Sequence, residues 1–268
     1  GILAHNVLAN NQDVRWMIIE PNPIAESSSR LTITEGFFDE KTKLNSDTSA
    51  IVMSQVFEHI YEPQKMAKQL ANSLSTGAKV IIAYPQIKKW LKNNFTNALN
   101  FEHTMLIDDF LPVIFQRAGF ILDDETVYKD HSIFYTFVKT DDELVEIKVP
   151  NFYQEYKKIF NDFISYHKRL VAELNDKILM ADEPVYLFGA HIFSSYLFAF
   201  GLSDKIDGIL DNGDLKKNRR FYGTNFVITG PQILKGKGKI NVILKAGLYN
   251  EEIKSDILEN INNEVIFW

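Results

Sequence analysis

The chain has no cysteine among its 268 residues. That excludes disulfides, thiolate zinc sites and cysteine nucleophiles, and it fits the reducing cytoplasm, which is the expected compartment. The six histidines show neither HxH nor HExxH spacing, so no metal site is expected. No apolar run approaches the roughly 20 residues needed to span a bilayer, and no membrane association is expected. Positive charge is in deficit: 29 Lys and Arg stand against 35 Asp and Glu, a net charge of −6. Proteins that grip a nucleic-acid backbone usually show a basic face, so no nucleic-acid partner is expected. The opening Gly1-Ile2-Leu3-Ala4-His5 is not a basic region followed by an apolar one, as a signal peptide would be. It also lacks an initiator Met, so Gly1 is either a native residue inside a longer protein or a cloning remnant. What the chain does have is core material. Hydrophobic residues make up 46%, enough to fold, and the length favours two domains over one.

Short apolar runs alternate with helical patterns. Ile2 to Ala9 reads as a helix with Ile2, Leu3, Val7 and Leu8 as its apolar contacts. Trp16 to Ile19 reads as a buried strand, stopped by Glu20-Pro21-Asn22-Pro23. Leu31 to Thr34 and Ala50 to Met53 are two further strands. Pro63 to Leu74 is a helix with proline in its first turn and Met66, Leu70 and Leu74 on one face. Lys79 to Ala83 is a strand ended by Pro85. Asp108 to Ala118 reads as a helix capped by Asp108 or Asp109 and closed by Gly119. Phe120 to Leu122 and Ser132 to Val138 follow as strands at the far edge of the sheet. Asn151 to about Leu179 is one helix or two, with an apolar stripe of Tyr156, Phe160, Phe163, His167, Leu170, Leu174 and Ile178. After Pro184 the pattern becomes β-α-β twice: strands Val185 to Phe188, Ile206 to Leu210, Asn241 to Leu244 and Val265 to Phe267, with helices His191 to Phe200 and Asn250 to Ile261. The predicted fold class is therefore α/β: a Rossmann-like domain over 1–150, a helical connector over 151–180, and a smaller Rossmann-like domain over 181–268.

In open parallel sheets the ligand crevice lies beyond the carboxyl ends of the strands. Glu20, Ser54-Gln55 and Tyr84 fall at such ends. A strand-end carboxylate suits vicinal ribose hydroxyls, and it also suits bulk water. Phe37 and Phe38 are candidates to stack on a base, against the commoner fate of core packing. Lys216 to Arg220 is a basic run, ordinarily a solvated loop. Gly189-Ala190-His191 opens a dinucleotide-like turn but does not complete G-x-G-x-x-G, which leaves a nicotinamide enzyme poorly supported.

The stretch Val56, Glu58, His59, Ile60, Pro63 lies between a strand and a helix. It is followed by Leu74-Ser75-Thr76-Gly77 and Tyr84-Pro85, and later by Glu102-His103 and Ala118-Gly119-Phe120. This series resembles class I S-adenosylmethionine-dependent methyltransferases. The C-terminal part, through Phe188-Gly189-Ala190, Asp211, Lys217-Asn218-Arg219, Gly223 and Glu251-Glu252-Ile253, looks like the second domain of the sugar C-methyltransferases. The resemblance runs from about Trp16 to Ile253. It implies S-adenosylmethionine as cofactor and a small-molecule acceptor, with a nucleotide-linked sugar as the named candidate. It implies donor contacts from Gly1, Glu20, Phe38, Ser54 and Gln55, and acceptor contacts from Tyr84, Lys217 and Arg219. The first strand of such a domain, with its acidic glycine loop, is missing before Trp16, so Gly1 is expected to be the last glycine of that loop. The cysteine-built zinc module of the sugar enzymes is absent too. A family tyrosine near the Glu-His pair is replaced by Asn100, and a family lysine after Gly-Ala by Phe193.

Methyl transfer needs alignment and, for a neutral acceptor, a base. His103 and His59 are the candidate bases, because imidazole titrates near neutrality, with Glu102 orienting or sharing the proton. A satisfied structural histidine is the alternative for each. The rival reading from another class is a catalytically degenerate relative that binds a nucleotide or a partner.

Overall fold

The computed structural model describes residues 1–99, 108–129, 131–145 and 147–268. The chain opens with α1 (Ile2–Asn10), then β1 (Trp16–Glu20) and β2 (Leu31–Glu35), which pair in parallel as a separate two-stranded sheet. Ala4 and Leu8 of α1 pack with Leu31, Trp16, Ile18 and Ile33. Ile2 is 83% exposed and Leu3 is 46% exposed, so two of the four expected contacts of α1 do not form. The α1 face that packs is set by Ala4 and Leu8, one turn apart.

Next come β3 (Ala50–Ser54), α2 (Pro63–Ser73), β4 (Lys79–Pro85), α3 (Ile87–Lys92), α4 (Leu111–Gln116), β5 (Phe120–Tyr128) and β6 (Ser132–Lys139). Their strands form a sheet of order β3-β4-β6-β5, parallel between β3 and β4 and antiparallel thereafter. Its core gathers Phe57, Leu70, Ile82, Tyr84, Phe115 and Phe137. Phe115 and Phe137 stack at 4.2 Å. The residues of β1 are half-buried up to exposed Glu20, and those of β3 are half-buried between exposed ends. Both have the short apolar run of a buried strand, yet neither is fully buried. The reason is pairing: each has one parallel neighbour and an edge that no described strand occupies, whereas parallel strands are normally covered on all sides.

The strand expected to stop at Leu122 continues to Tyr128 with a register shift between Leu122 and Asp124. Asp123-Asp124-Glu125 conceals it from propensity reasoning. Its residues beyond Phe120 are all exposed, as suits an edge strand blunted by acid and bulge.

The connector is a single helix, α5 (Tyr153–Met180). Its buried stripe is Ile159, Phe163, His167, Val171, Leu174 and Ile178, and Phe160 is 43% exposed. The stripe is thus rotated from the one read off the aromatic residues, because size and aromaticity do not fix which side meets a partner. Ile159 and Phe163 belong to the first core. Val171, Leu174 and Ile178 belong to another.

That other core sits under β7 (Val185–Phe188), α6 (Ile192–Ala199), β8 (Gly208–Leu210), β9 (Ile228–Thr229), β10 (Ile240–Leu244), α7 (Asn250–Asn260) and β11 (Val265–Phe267). The strands form an all-parallel sheet of order β11-β10-β7-β8-β9. This is a small Rossmann-like sheet whose order reverses between β7 and β10. The chain is accordingly an α/β protein. No described helix is long and apolar enough to cross a membrane. The α6 helix packs against the 3₁₀ turn Thr96–Leu99 of the first half.

His167 lies where the stripe passes from one core to the other. It is 2% exposed, its Nδ1 is 2.9 Å from the Phe163 carbonyl oxygen, and its ring contacts Phe163, Tyr166 and Phe200. Burial lowers its pKa from the usual 6.5, the backbone hydrogen bond opposing. An imidazole that folds neutral and unfolds free to protonate stabilises fully above the unfolded value and less as pH falls through it. Chain stability is therefore expected to drop between about pH 7.5 and about pH 5.5. His167→Phe should flatten that dependence, as read from urea midpoints at the two pH values.

Candidate functional site

The parallel strands β1, β2, β3 and β4 end in Glu20, Glu35, Ser54 and Pro85. Because β6 runs antiparallel to β4, with Ser132 opposite Pro85, the start of β6 joins the same edge. Polar side chains from β3, β4 and β6 therefore meet there, while Glu20 and Glu35 end the strands of a separate sheet.

Glu20 and Glu35 are in register across β1 and β2, both exposed. Like charges directly opposite each other are unfavourable, and they are tolerated here because water reaches both. The Glu20 Oε1 takes only a long contact, 3.4 Å, from the Asn22 amide. Two adjacent acceptors at a strand end are suited to a ligand that brings hydroxyl donors.

At the end of β3 the backbone turns sharply. Gln55 has φ of 54°, a left-handed conformation uncommon for a residue with a side chain. The Gln55 amide nitrogen donates to the Ala83 carbonyl at 2.9 Å, extending the β3–β4 ladder by one bond. The turn aims the side chain across the end of β4, where its Nε2 donates to Ser132 Oγ at 3.0 Å. Ser132 Oγ also lies 2.6 Å from His131 Nδ1. Gln86, buried just past β4, donates from Nε2 to the carbonyls of Lys129, 2.9 Å, and Ser132, 3.2 Å. Ser54 itself is exposed.

Below this edge is a buried acidic layer. Glu58 is 1% exposed, in the 3₁₀ turn Phe57–His59. Burial raises its pKa, while its own backbone amide and the neighbouring His59 pull the other way. His59 Nε2 lies 3.8 Å from Glu58 Oε1, with the ring about one-third exposed (35%). Asp108 is 4% exposed and accepts a hydrogen bond from Tyr135 at 2.7 Å. Its pKa is raised by burial, which outweighs that hydrogen bond. Tyr84 is fully buried, and its phenol is pushed far up by burial and then by the charges of Glu58 and Asp108.

Asp108 and Asp109 had read as helix caps. Instead α4 begins at Leu111 with no side-chain cap, and the two acids face away into tertiary contacts. Asp109 pairs with Lys88 at 2.9 Å and accepts from the Tyr156 hydroxyl at 2.5 Å. Burial opposes the Lys88 charge, yet the hydrogen bonds it donates to Asp109 and Glu155, with their charges, outweigh it and raise its pKa. Its ammonium also sits over the Phe152 and Tyr156 rings.

The remaining expected site residues are scattered. Gly1 precedes α1, where an added Cβ would lie 3.0 Å from that of Ala25. Phe38 packs half-buried on the first core, and Phe37 is 78% exposed. Tyr84 had been expected to touch substrate, but as a fully buried residue it supports the site from beneath. Lys217 is bonded to Asp214 at 2.7 Å and Arg219 is exposed. Lys216 pairs with Asp211, which also accepts the Ala190 amide at 2.8 Å. Glu102, His103 and Asn100 lie outside the described residues. No group of three or more His, Asp or Glu among the described residues is placed to hold a metal ion. Sequence reasoning missed Asp108, Tyr135, Gln86, His131 and Ser132. Only the strand-end position of Gln86 signalled it in advance.

No protein-family model matches the chain, and no curated protein matches it. Among solved structures it is similar to N,N-8-amino-8-demethyl-D-riboflavin dimethyltransferase (RosA) from Streptomyces davawensis: 16% identity, TM-score 0.42, covering 52% of this chain and 46% of that one. It is similar to the O-methyltransferase NcsB1 from neocarzinostatin biosynthesis, in complex with S-adenosyl-L-homocysteine and 1,4-dihydroxy-2-naphthoic acid: 10% identity, TM-score 0.41, covering 52% and 46%. It is also similar to LepI in complex with SAM: 10% identity, TM-score 0.41, covering 52% and 39%. The chain spans less than half the length of each of these three. The α/β assignment rests on the strand orders themselves.

Tyr135→Phe tests the buried layer. It removes the donor to a buried carboxyl, a loss of about 1–3 kcal/mol. An acid whose folded pKa is raised stabilises fully below its unfolded value, and that contribution is lost as pH climbs. The Tyr135 hydroxyl restrains this rise, so the variant should lose more at about pH 7 than at about pH 4. Equal urea midpoints for both proteins at neutral pH would show that the bond contributes nothing.

Proposed function

We propose that the chain is part of an S-adenosylmethionine-dependent methyltransferase acting on a small molecule, a nucleotide-linked sugar being the favoured acceptor. What supports this reading is the strand-end position of these groups: Glu20 closes β1, and Gln55 and the Glu58-His59 pair follow directly on β3, each at the carboxyl end of a parallel strand. These are the positions that the family resemblance marks for donor and acceptor. The names of the similar solved structures point the same way. The domain division goes with it: a methyltransferase domain over 1–150, the connector, and a second Rossmann-like domain from 181. A soluble cytoplasmic setting is part of the proposal.

Bound S-adenosylmethionine would supply an electrophilic methyl group. Glu20, with Glu35 beside it, offers carboxylate oxygens to the ribose hydroxyls, and the paired acids lose some of their mutual repulsion to such donors. Ser54 and Gln55 border the same side, and Phe38 supports it from the core rather than by stacking. His59 is half-buried, with its Nε2 3.8 Å from the Glu58 carboxyl. It shares the base role with His103, which Glu102 would orient. Lys217 and Arg219 serve acceptor phosphates, Lys217 only after leaving Asp214.

The unoccupied edges of β1 and β3 support one further part of the reading. A parallel strand placed between them would join both sheets into one and bring a backbone loop to the methionine end of the donor, with Gly1 as that loop's last residue. A chain extended at its amino end is accordingly expected to bind S-adenosylhomocysteine in calorimetry much more tightly than the 268-residue chain. Equal affinity for both would remove the strand from the proposal. In the extended chain, Glu20→Ala should weaken S-adenosylhomocysteine by about 1.5–3 kcal/mol, the scale of a hydrogen bond to a charged group, with little change in urea stability. Unaltered affinity would return Glu20 to the ordinary surface acids.

A further inference from the structure

His131 carried no signal in the sequence, yet it is the best-held imidazole on the carboxyl edge. It is an exposed residue whose ring is hydrogen-bonded inward, to Ser132, which is 3% exposed. The turn that carries it is fixed from several sides. The Gln86 amide nitrogen donates to the His131 carbonyl at 3.2 Å, and the His131 amide donates to the Tyr128 carbonyl at 3.2 Å. The Gln86 side chain holds the carbonyls of Lys129 and Ser132. The ring meets Trp90 edge-on at 6.1 Å. Lys129 and Gln55 both sit at positive φ, 50° and 54°, to make this arrangement. Strain kept at two non-glycine positions around one hydrogen-bonded group is a mark of functional sites.

The bonds have a direction. Gln55 Nε2 is a donor, so Ser132 Oγ accepts there. The serine hydroxyl has one hydrogen, and its remaining close partner is His131 Nδ1 at 2.6 Å. With that hydrogen directed to Nδ1, the neutral ring carries its own proton on Nε2. When the ring protonates, the new proton goes to Nδ1, where Ser132 Oγ can accept it. Nε2–H is thus present in both charge states. A base needs a bare nitrogen facing its substrate, and this ring has its bare nitrogen turned into the protein.

We propose that His131 is a ligand-contacting hydrogen-bond donor of the acceptor site, fixed by Ser132 and Gln55, whose Nε2–H holds an oxygen of the bound small molecule. The assignment of that molecule as a methyl acceptor rests on the methyltransferase reading; the donor role of His131 does not. The oxygen is either a phosphoryl oxygen or a sugar oxygen. Proton transfer is left to His59 and His103.

The test uses the full chain. Nitrogen-15 NMR of the histidine rings should show His131 as the Nε2–H tautomer, and Ser132→Ala should release it into exchange between tautomers. A proton on Nδ1 in the wild-type chain would overturn the relay. The Trp90 indole signal then reports titration, first with inorganic phosphate and separately with glucose. A saturable response to phosphate identifies a phosphoryl contact, a response to glucose a sugar contact, and a response to neither overturns the ligand role. His131→Gln, whose amide keeps a donor near the Nε2 position, should retain the response. His131→Ala should weaken it by on the order of tenfold. Equal loss in both variants would also count against a donor role. A chain that responds here but fails to bind S-adenosylhomocysteine when extended would retain the His131 site and lose the methyltransferase reading.

Discussion

The continuous buried stripe of α5 is the constraint on which the rest of the structure depends. Ile159 and Phe163 complete the first core, and Val171, Leu174 and Ile178 complete the second. One helix therefore contributes buried side chains to two hydrophobic cores. Close-packed interiors transmit displacement instead of absorbing it. Lys88, Asp109 and Tyr156 tie the first turns of that helix to α3 and to the segment before α4. The position of the second sheet relative to the first follows from this one rigid element and from the packing of α6 on the turn Thr96–Leu99.

Above the first core, polarity is layered. Aromatic packing of Phe57, Phe115, Phe120 and Phe137 forms the floor. Glu58, Tyr84, Asp108 and Tyr135 form a buried acidic layer over it, where desolvation keeps both carboxyls above their usual range. Gln55, Gln86, Ser132 and His131 form the outermost layer. A buried carboxyl is costly unless it is protonated or well bonded, and titratable groups displaced in this way gather at functional sites. The acids and amides together hold the ends of β3, β4 and β6 in one fixed relation, which is what a ligand edge requires.

The two halves differ in how their sheets end. The second sheet has five parallel strands in one layer, and its central strands are buried. In the first half, parallel pairs stand in two separate sheets, and β1 and β3 stay half-buried along edges that no described strand covers. The apolar side chains of Met17, Ile18, Val52 and Met53 have the composition of an interior strand. Their partial exposure follows from the strand edges that no described strand covers.

The sequence by itself determined the alternation of strands and helices, the helical stretch of α5, the α/β class and the strand-end placement of Glu20, Gln55 and Tyr84. These depend on local periodicity and on proline and glycine breaks, which act within a few residues. Tertiary structure decided the rest. It extended β5 through Asp123-Asp124-Glu125, because pairing with β6 outweighs local propensity. It turned the α5 stripe from Phe160 to Ile159 and Val171, because burial depends on which neighbour is present. It drew Asp108 away from a helix cap to Tyr135, residues 27 apart in the chain. It joined Gln55 to Ser132 across 77 residues, so that a histidine without any motif came to be fixed at the sheet edge. Contacts between residues so far apart depend on the register of β4 against β6, and no local pattern encodes that register.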